Sequence, residues 1–362
     1  MAFVGGWDRT KRLSFTRNEL TGAIGDTITV IPLVIALALL TDISLPHVLI
    51  LFGIFQVVWG VVYGLPVSVE PMKALAALAI AGTLTYAEFA LAGIVLGVVL
   101  LAMGITGSIS TIERWIGEPV IRGVQLAVGL LLLEVGVRLA IEDFVLAGVG
   151  VALTVLVVLV GFKNASALVV LAIGIGLTLV TVGVPTPRWP GWPPIVDVSS
   201  GLTRATVDGI VAQTAMTIGN AALATSLMFA DLFDEDVSPD DLSTSMGLTN
   251  LVAVPVGGIP MCHGCDGVAG KYEFGARTGG ANVLLGGMYV VAAFFATTLI
   301  LGAFPLALLG VLLVIVAGTL GKSVLQSTNL WLSAGIGILA VLTNLGLAFV
   351  LGILVHQVFA RR

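Results

Sequence analysis

Two short segments of this chain place side chains that could bind an anion beside helix-breaking prolines. The first runs Pro66-Val67-Ser68-Val69-Glu70-Pro71-Met72-Lys73, and the second runs Pro255-Val256-Gly257-Gly258-Ile259-Pro260-Met261-Cys262-His263. Both contain the pattern Pro-x4-Pro-Met between apolar stretches. Proline lacks the N–H that a helix interior needs and suits a first helical turn, so each segment predicts a broken helix and a new helix N-terminus.

The residues that follow each break suit a small anion. Lys73 would lie in the first turn of the helix that Pro71 begins, so its ammonium and the free N–H groups of that turn would point to one place. In the second segment, His263 can donate a hydrogen bond and Gly264 leaves the backbone open. Two such N-termini facing each other would form a cage of donors for an oxyanion. The predicted substrate-binding residues here are Pro71, Met72, Lys73, Cys262, His263 and Gly264.

Two amides and two carboxylates complete the candidate site. Gln213 and Asn220 would share one face of a helix and offer hydrogen bonds to the substrate, although such a stripe can also serve only to join helices. Asp26 and Glu70 are predicted within the membrane, where a charge costs at least about 2.5–3.5 kcal/mol. We predict that one of them takes up a proton with the substrate; the alternative is that either neutralises Lys73.

The cluster Cys262, His263, Cys265 and Asp266 also permits a metal interpretation. A structural zinc site needs two ligand pairs, and the chain has only 2 cysteines, both in this segment. We therefore predict no metal and no cofactor. A membrane-embedded metal protein or enzyme that uses Cys262, His263 and Cys265 stays as the alternative of another class.

Composition predicts a polytopic membrane protein. The chain is 58% hydrophobic and 10% charged, with a mean hydropathy of +1.11, whereas a soluble domain carries about 25% charged residues. Its 45 glycines suit close helix packing in lipid. A net charge of −5 argues against nucleic acid as a partner.

Apolar stretches long enough to span a bilayer predict an all-α protein with fourteen spans. They cover residues 20–40, 46–63, 71–84, 86–106, 117–139, 143–161, 165–183, 205–231, 242–256, 261–275, 279–303, 304–320, 328–343 and 344–359. The short spans 71–84 and 261–275 are the predicted interrupted half-helices, which point to the binding site of a transporter. The boundary between the last two spans, at Thr343-Asn344, is the least distinct in the sequence.

The basic residues predict the orientation. With the N-terminus inside, twelve of the 16 lysines and arginines would face the cytoplasm. These are Arg9, Lys11, Arg12, Arg17, Arg114, Arg122, Lys163, Lys271, Arg277, Lys322, Arg361 and Arg362. We therefore predict a multi-pass protein of the cell membrane, surrounded by lipid, with both termini cytoplasmic.

The two halves of the chain repeat each other. Ile24-Gly25-Asp26 in the first span parallels Ile218-Gly219-Asn220 in the eighth, in addition to the paired Pro-Met segments. Because seven spans in each half is an odd number, the halves must be inverted. The prediction is a first repeat at 1–183, an extracytoplasmic linker rich in Pro and Trp at 184–204, and a second repeat at 205–362.

These residues resemble the molybdate transporter family, which is related to the SulP sulfate permeases. The resemblance covers essentially the whole chain and rests on Asn18–Asp26 with Val30-Ile31-Pro32-Leu33, on Glu70–Lys73, and on Pro260–Gly264 with Gly267, Gly270, Phe274–Arg277 and Gly279-Gly280. It implies the seven-plus-seven inverted-repeat fold of the uracil and SulP carriers. It also implies a core domain of spans 1–4 and 8–11, a gate domain of spans 5–7 and 12–14, an anion held between spans three and ten, and a homodimer.

Two positions depart from that family pattern. Glu70 stands where a neutral glutamine is expected, and Cys265-Asp266 replaces a small residue and a glycine. Both changes add negative charge beside the proposed anion site.

The sequence therefore predicts a secondary active transporter, not an enzyme. As the resemblance implies, it would import a tetrahedral oxyanion, molybdate or sulfate, by moving the core domain against the gate domain, and we expect protons to accompany the anion. The alternative of the same fold is a carrier for a nucleobase or another small solute, in which Glu70 would hydrogen-bond a ring.

Overall fold

Within residues 13–162 and 165–360, which this computed structural model describes, the chain forms seventeen α-helices and two short strands. The first half contains α1 (Arg17–Leu40), α2 (Leu45–Tyr63), β1 (Glu70–Pro71), α3 (Lys73–Ile80), α4 (Tyr86–Thr106), α5 (Ile109–Ile116), α6 (Glu118–Ala140), α7 (Phe144–Leu159) and α8 (Ser166–Val182). The second half contains α9 (Arg204–Met216), α10 (Ala224–Phe233), α11 (Pro239–Ala253), β2 (Met261–Cys262), α12 (Cys265–Glu273), α13 (Gly280–Ala293), α14 (Thr298–Gly302), α15 (Leu306–Lys322), α16 (Leu330–Leu342) and α17 (Leu345–Ala360).

Every predicted span coincides with one helix or with two consecutive helices. The weak boundary near residue 343 is confirmed, because α16 ends at Leu342 and α17 begins at Leu345. Three features are new: the short amphipathic helix α5, the division of span 279–303 between α13 and α14, and a π-helical segment at Thr217–Leu223 between α9 and α10. By length and apolar composition, six helical segments of the described chain could cross a membrane.

Local sequence signals set several helix ends. Thr85 and Glu88 form a capping box at the start of α4, which satisfies N–H groups that have no partner within the helix. Gly64 and Gly107 end α2 and α4 with positive φ angles of 66° and 68°, a conformation that glycine adopts without strain.

The helix pairing is that of an inverted repeat. Span two (α2) packs on span eleven (α13), and the equivalent pair, span nine (α11) on span four (α4), makes a matching contact. Span one (α1) packs on the half-helix α12, and span eight (α9) packs on the half-helix α3. Exchanging the two halves therefore reproduces the pattern, as a pseudo-two-fold axis requires.

Small residues allow these pairs to approach closely. A Cβ atom on Gly53 of α2 would lie 2.6 Å from the carbonyl oxygen of Gly286 on α13, and one on Gly286 would lie 2.5 Å from the carbonyl oxygen of Gly53. On α4 and α11, a Cβ on Gly247 would lie 2.8 Å from the carbonyl oxygen of Gly97. Since only glycine fits at these crossings, part of the glycine content serves helix packing.

The predicted orientation rests partly on residues outside the described range, namely Arg9, Lys11, Arg12, Lys163, Arg361 and Arg362. One assignment within the described range is wrong. The charge pattern predicts Lys271 in the cytoplasm, but its side chain is fully buried. The physical reason is that Lys271 lies on the face of α12 that packs on α1, where an ion pair with Asp26 compensates the ammonium.

Candidate functional site

The two proline breaks meet at the centre of the molecule. Strands β1 and β2 pair antiparallel, with Glu70 opposite Cys262 and Pro71 opposite Met261. The Met72 N–H donates to the carbonyl of Pro260 at 2.9 Å, which extends the contact. Helices α3 and α12 begin directly after these strands, so the predicted breaks and their convergence are confirmed.

Lys73 lies between two carboxylates at this junction. Its Nζ is 2.6 Å from Oδ2 of Asp266 and 3.0 Å from Oε2 of Glu70. Glu70 is fully buried and Lys73 is 4% exposed, whereas the Asp266 side chain is 32% exposed. The structure thus joins the first half-helix to the second through a largely buried ion triad, in which Glu70 is the partner of Lys73 that the sequence offers and Asp266 is an additional one.

The carboxylate of Glu70 occupies the N-terminus of α12. Its Oε1 accepts a hydrogen bond from the Gly267 N–H at 2.8 Å, with the hydroxyls of Ser68 and Thr29 at 3.3 and 3.4 Å. A Cβ on Gly264 or Gly267 would overlap this carboxylate. The glycines are therefore required for an anion to sit at this helix end, and the chain supplies that anion itself.

Gln213 occupies the N-terminus of α3 in a similar way. Its Oε1 accepts from the N–H groups of Ala74 and Leu75 at 2.9 and 3.3 Å, and its Nε2 donates to Thr217 Oγ1 at 2.9 Å. The predicted position of Gln213 in the site is thus observed, with its polar atoms engaged by the protein. The π-helical segment begins at Thr217, directly beside this cap; such segments are frequent at functional sites.

Asn220 links the site to helix α6. Its Oδ1 lies 3.1 Å from the Cys265 sulfur and accepts from Gln125 Nε2 at 3.2 Å. Arg122, one turn earlier on α6, donates to Gln125 Oε1 at 3.3 Å. A polar chain therefore runs from the second half-helix through span eight to span five.

Both ring nitrogens of His263 are engaged by the protein. Nδ1 lies 2.9 Å from the carbonyl oxygen of Ser68, which can only accept, so Nδ1 carries the proton. Nε2 lies 2.7 Å from the Ser245 hydroxyl, and the rings of Trp59 and Tyr63 pack edge-on against the imidazole. His263 holds the segment before β1 in place, and in this tautomer its predicted donation to an oxyanion requires the bond from Nδ1–H to the Ser68 carbonyl to break.

A second buried lysine organises the core beside the Lys73 site. Lys271 Nζ is 3.2 Å from Asp26 Oδ2 and donates to the Val67 carbonyl at 2.7 Å, to Asn282 Oδ1 at 3.0 Å and to Gln56 Oε1 at 3.1 Å. Asp26 also accepts from the Ser68 hydroxyl at 2.6 Å and from Gln56 at 3.1 Å. The partner of Asp26 is therefore Lys271. The sequence carries one signal for this pair: Asp26 is a predicted intramembrane carboxylate, and such a group needs a cation as its partner.

The two thiols and the imidazole have separate partners. The Cys262 sulfur is 3.9 Å from the Pro71 carbonyl oxygen, the Cys265 sulfur faces Asn220, and His263 faces two serines. In the part of the chain that the structure describes, no three His, Cys, Asp or Glu side chains are grouped so that they could hold a metal ion.

A cavity of about 460 Å³ leads to the ion triad. It lies between α1 and α12 on one side and α7, α8 and α15 on the other. Its lining includes Asp266, a member of the triad, and Thr29, whose hydroxyl lies 3.4 Å from Glu70 Oε1. Glu273 and Lys322 also line it. The Lys73 site is thus reached through a cavity between the helices of spans one and ten and those of spans six, seven and twelve.

A family model described as "Molybdate transporter of MFS superfamily" matches residues 18–132 and 205–320. The matched segments cover spans one to four with most of span five, and spans eight to twelve, so each contains one of the proline breaks.

Three curated relatives are similar over most of their length. "Molybdate transporter 2" of Arabidopsis thaliana is 30% identical, over 85% of this chain and 79% of the relative. "Molybdate transporter 1" of the same plant is 32% identical, over 82% and 77%. "Molybdate transporter 1" of Chlamydomonas reinhardtii is 26% identical, over 98% and 94%.

Solved structures share the fold at low sequence identity. The transmembrane domain of a cyanobacterium bicarbonate transporter, BicA, gives a TM-score of 0.69 at 17% identity and covers 92% of this chain and 97% of that one. The murine Slc26a9 anion transporter in the inward-facing state gives 0.69 at 14% identity, over 97% and 69%. These neighbours confirm the predicted seven-plus-seven inverted-repeat fold.

Proposed function

The chain belongs to the molybdate transporter family, and from that premise we propose that it is a secondary carrier that imports a tetrahedral oxyanion. Molybdate is the first candidate and sulfate the second. The carrier would lie in the cell membrane, surrounded by lipid, with cytoplasmic termini, and would assemble as a homodimer. It carries a substrate across the membrane and is not an enzyme.

One observation supports the proposal above all others. A buried ammonium, Lys73, stands between the N-termini of two half-helices, with Glu70 and Asp266 as its only ion-pair partners among the described residues. Helix N-termini and a buried cation attract an anion. In the present arrangement the chain's own groups fill these places, Glu70 at α12 and Gln213 at α3. An oxyanion would bind by taking over some of these contacts.

The buried charges support coupling to protons. Two ammoniums, Lys73 and Lys271, face three carboxylates, Asp26, Glu70 and Asp266. A dianion added to this cluster would meet uncompensated negative charge, and one unit pair at 4 Å costs about 4 kcal/mol at an effective dielectric constant near 20. Of the two predicted proton carriers, Glu70 is favoured, because Asp26 is held by Lys271, Ser68 and Gln56.

The contacts support movement of a core domain, spans 1–4 and 8–11, against a gate domain, spans 5–7 and 12–14. The half-helices pack on spans one and eight, and α3 also contacts span five (α6). Span five itself packs mainly on spans twelve (α15) and thirteen (α16). The cavity that reaches Asp266 lies between these two groups. Rigid movement of one group against the other would open this cavity or close it.

Uptake by a Lys73→Met variant tests the proposal. In reconstituted vesicles, saturable molybdate uptake should be abolished, whereas Arg138→Met, which removes an exposed cation paired with Glu134, should transport normally. Unchanged uptake by a folded Lys73→Met variant would contradict the site. Thermal-shift measurements with molybdate, tungstate, sulfate and uracil test the substrate class, since stabilisation by uracil alone would favour a nucleobase carrier.

A further inference from the structure

We propose that two protons accompany each oxyanion, one carried by Glu70 and one by Asp266. The inference rests on the proposed function and deepens it, because it assigns a coupling ratio and a second coupling residue. It follows from what surrounds Lys73 in the present structure, where two carboxylates stand in the place of one dianion.

The geometry shows this substitution directly. Asp266 Oδ2 and Glu70 Oε2 lie 2.6 and 3.0 Å from the Lys73 ammonium, and Glu70 Oε1 lies 2.8 Å from the Gly267 N–H. Together the two side chains bring two negative charges to one ammonium and one helix N-terminus. A tetrahedral dianion carries the same total charge of −2 on oxygens that are bonded to one central atom.

A charge count then fixes the number of protons. Asp26 belongs to Lys271, so the Lys73 site holds two carboxylates and one ammonium, a net charge of −1. Binding a dianion without protons would make this −3. If both carboxylates are protonated as the dianion arrives, the charge stays at −1, and the loaded and empty sites have equal charge. Transport would then be electroneutral, since a dianion and two protons move together.

Both carboxylates can exchange protons with the cavity. The Asp266 side chain lines it and is 32% exposed. Glu70 is fully buried, but its Oε1 lies 3.4 Å from the hydroxyl of Thr29, which also lines the cavity. In the loading step, hydronium ions transfer one proton to Glu70 Oε1 through the Thr29 hydroxyl and one to the carboxylate of Asp266, each leaving a water molecule, while Lys73 keeps its own. Oxyanion oxygens then accept from the Lys73 ammonium and the Gly267 N–H, and the reverse steps release all three ions on the other side.

The charged and titratable groups that face these carboxylates come from several elements. Glu70 is faced by Lys73 of α3, by Asp266 and Lys271 of α12 and by Asp26 of α1, with Cys262 of β2 and Tyr289 of α13 also near it. Asp266 is faced by Lys73, by Cys265 and by Arg122 of α6. Glu273 and Lys322 line the same cavity as Asp266.

The test is the balance point of the two gradients in vesicles held at zero membrane potential. At zero membrane potential, a difference of one pH unit gives each proton the same driving force that a tenfold concentration ratio gives each molybdate ion. If two protons move with each molybdate, a tenfold molybdate gradient is balanced by about 0.5 pH unit; one proton requires about 1 pH unit. For the natural chain we expect the balancing pH difference to be about 0.5 unit. For Glu70→Gln or Asp266→Asn we expect it to be about 1 unit. Glu134→Gln, at an exposed ion pair away from the site, should stay at about 0.5.

A natural chain that balances at about 1 pH unit, or a Glu70→Gln or Asp266→Asn variant that stays at about 0.5, would overturn the inference. If a variant folds but does not transport, proton uptake on tungstate binding is measured in weakly buffered detergent. We expect about two protons per tungstate for the natural chain and about one for each variant, and equal values would also overturn the inference. Absence of oxyanion transport and binding in the natural chain would instead refute the proposed function.

Discussion

Replacing Gly264 by alanine tests whether the Glu70 carboxylate must sit against the N-terminus of α12. The backbone of Gly264 has φ −101° and ψ 123°, which alanine adopts freely. The three heavy atoms nearest to the added Cβ are all atoms of the Glu70 carboxyl group, and all three would overlap it. The substitution therefore acts by steric overlap with the Glu70 carboxyl group and not by straining the backbone.

The geometry gives the size of the effect. Non-bonded carbon atoms prefer separations of about 3.5–4.0 Å, so the carboxylate has to move by at least about 1 Å. Such a shift takes Oε1 out of hydrogen-bond range of the Gly267 N–H, now 2.8 Å away. Losing a hydrogen bond to a charged group costs about 1.5–3 kcal/mol, and leaving the carboxylate buried without its partner adds to this cost. We expect the free energy of unfolding to fall by at least about 2 kcal/mol.

The assay is unfolding of purified variants in mixed micelles titrated with SDS, arranged as a double-mutant cycle with Glu70→Ala. In the Glu70→Ala background the overlapping atoms are gone, so Gly264→Ala should cost less than about 0.5 kcal/mol. Gly287→Ala is the matched control, because a Cβ at this helical position meets nothing within 4 Å. It should leave stability unchanged or raise it by up to about 1 kcal/mol. Equal costs of Gly264→Ala in both backgrounds would refute the assigned position of Glu70.

Two further substitutions test the neighbouring contacts. Lys271→Met should lower the free energy of unfolding by about 3–5 kcal/mol, because it leaves Asp26 buried without its counter-charge. Adding Asp26→Asn should recover part of this loss. If the costs of the two substitutions simply add in the same unfolding assay, the pairing of Lys271 with Asp26 is contradicted. Gln213→Glu should keep the cap on α3 but place a negative charge near Lys73, so molybdate affinity measured by calorimetry should fall at least about tenfold. Gln357→Glu, on α17, serves as its control, and equal affinity of the two variants would place Gln213 outside the site.

The sequence was sufficient to locate the centre of the molecule. Pro71 and Pro260 predict the two breaks because a helix cannot continue through them in lipid, and the repeat places them in equivalent positions of the two halves. Lys73 was identified because an intramembrane ammonium is costly unless it has a function or a partner. The breaks and Lys73 could be predicted because they depend on the chemistry of single residues and on the internal repeat, and both can be read from one sequence.

Contacts between distant segments were harder to predict. The charge count misplaces Lys271 because it takes no account of which face of a half-helix packs against another helix. The Ser245 and Ser68 partners of His263 lie on other segments, 18 and 195 residues away. The π-helical turn at Thr217–Leu223 has no signal in the sequence that we could identify, and its position beside Gln213 emerges only from the structure.

The location of a bound heavy oxyanion tests the central claim most directly. Crystals of the protein grown with tungstate would reveal tungsten by its anomalous scattering. Since a charge-assisted hydrogen bond spans about 2.8 Å, the account predicts a tungsten peak about 4 Å from Lys73 Nζ, with Glu70 or Asp266 displaced from the ammonium. A tungsten peak elsewhere, with Lys73 still bridging both carboxylates, would contradict it.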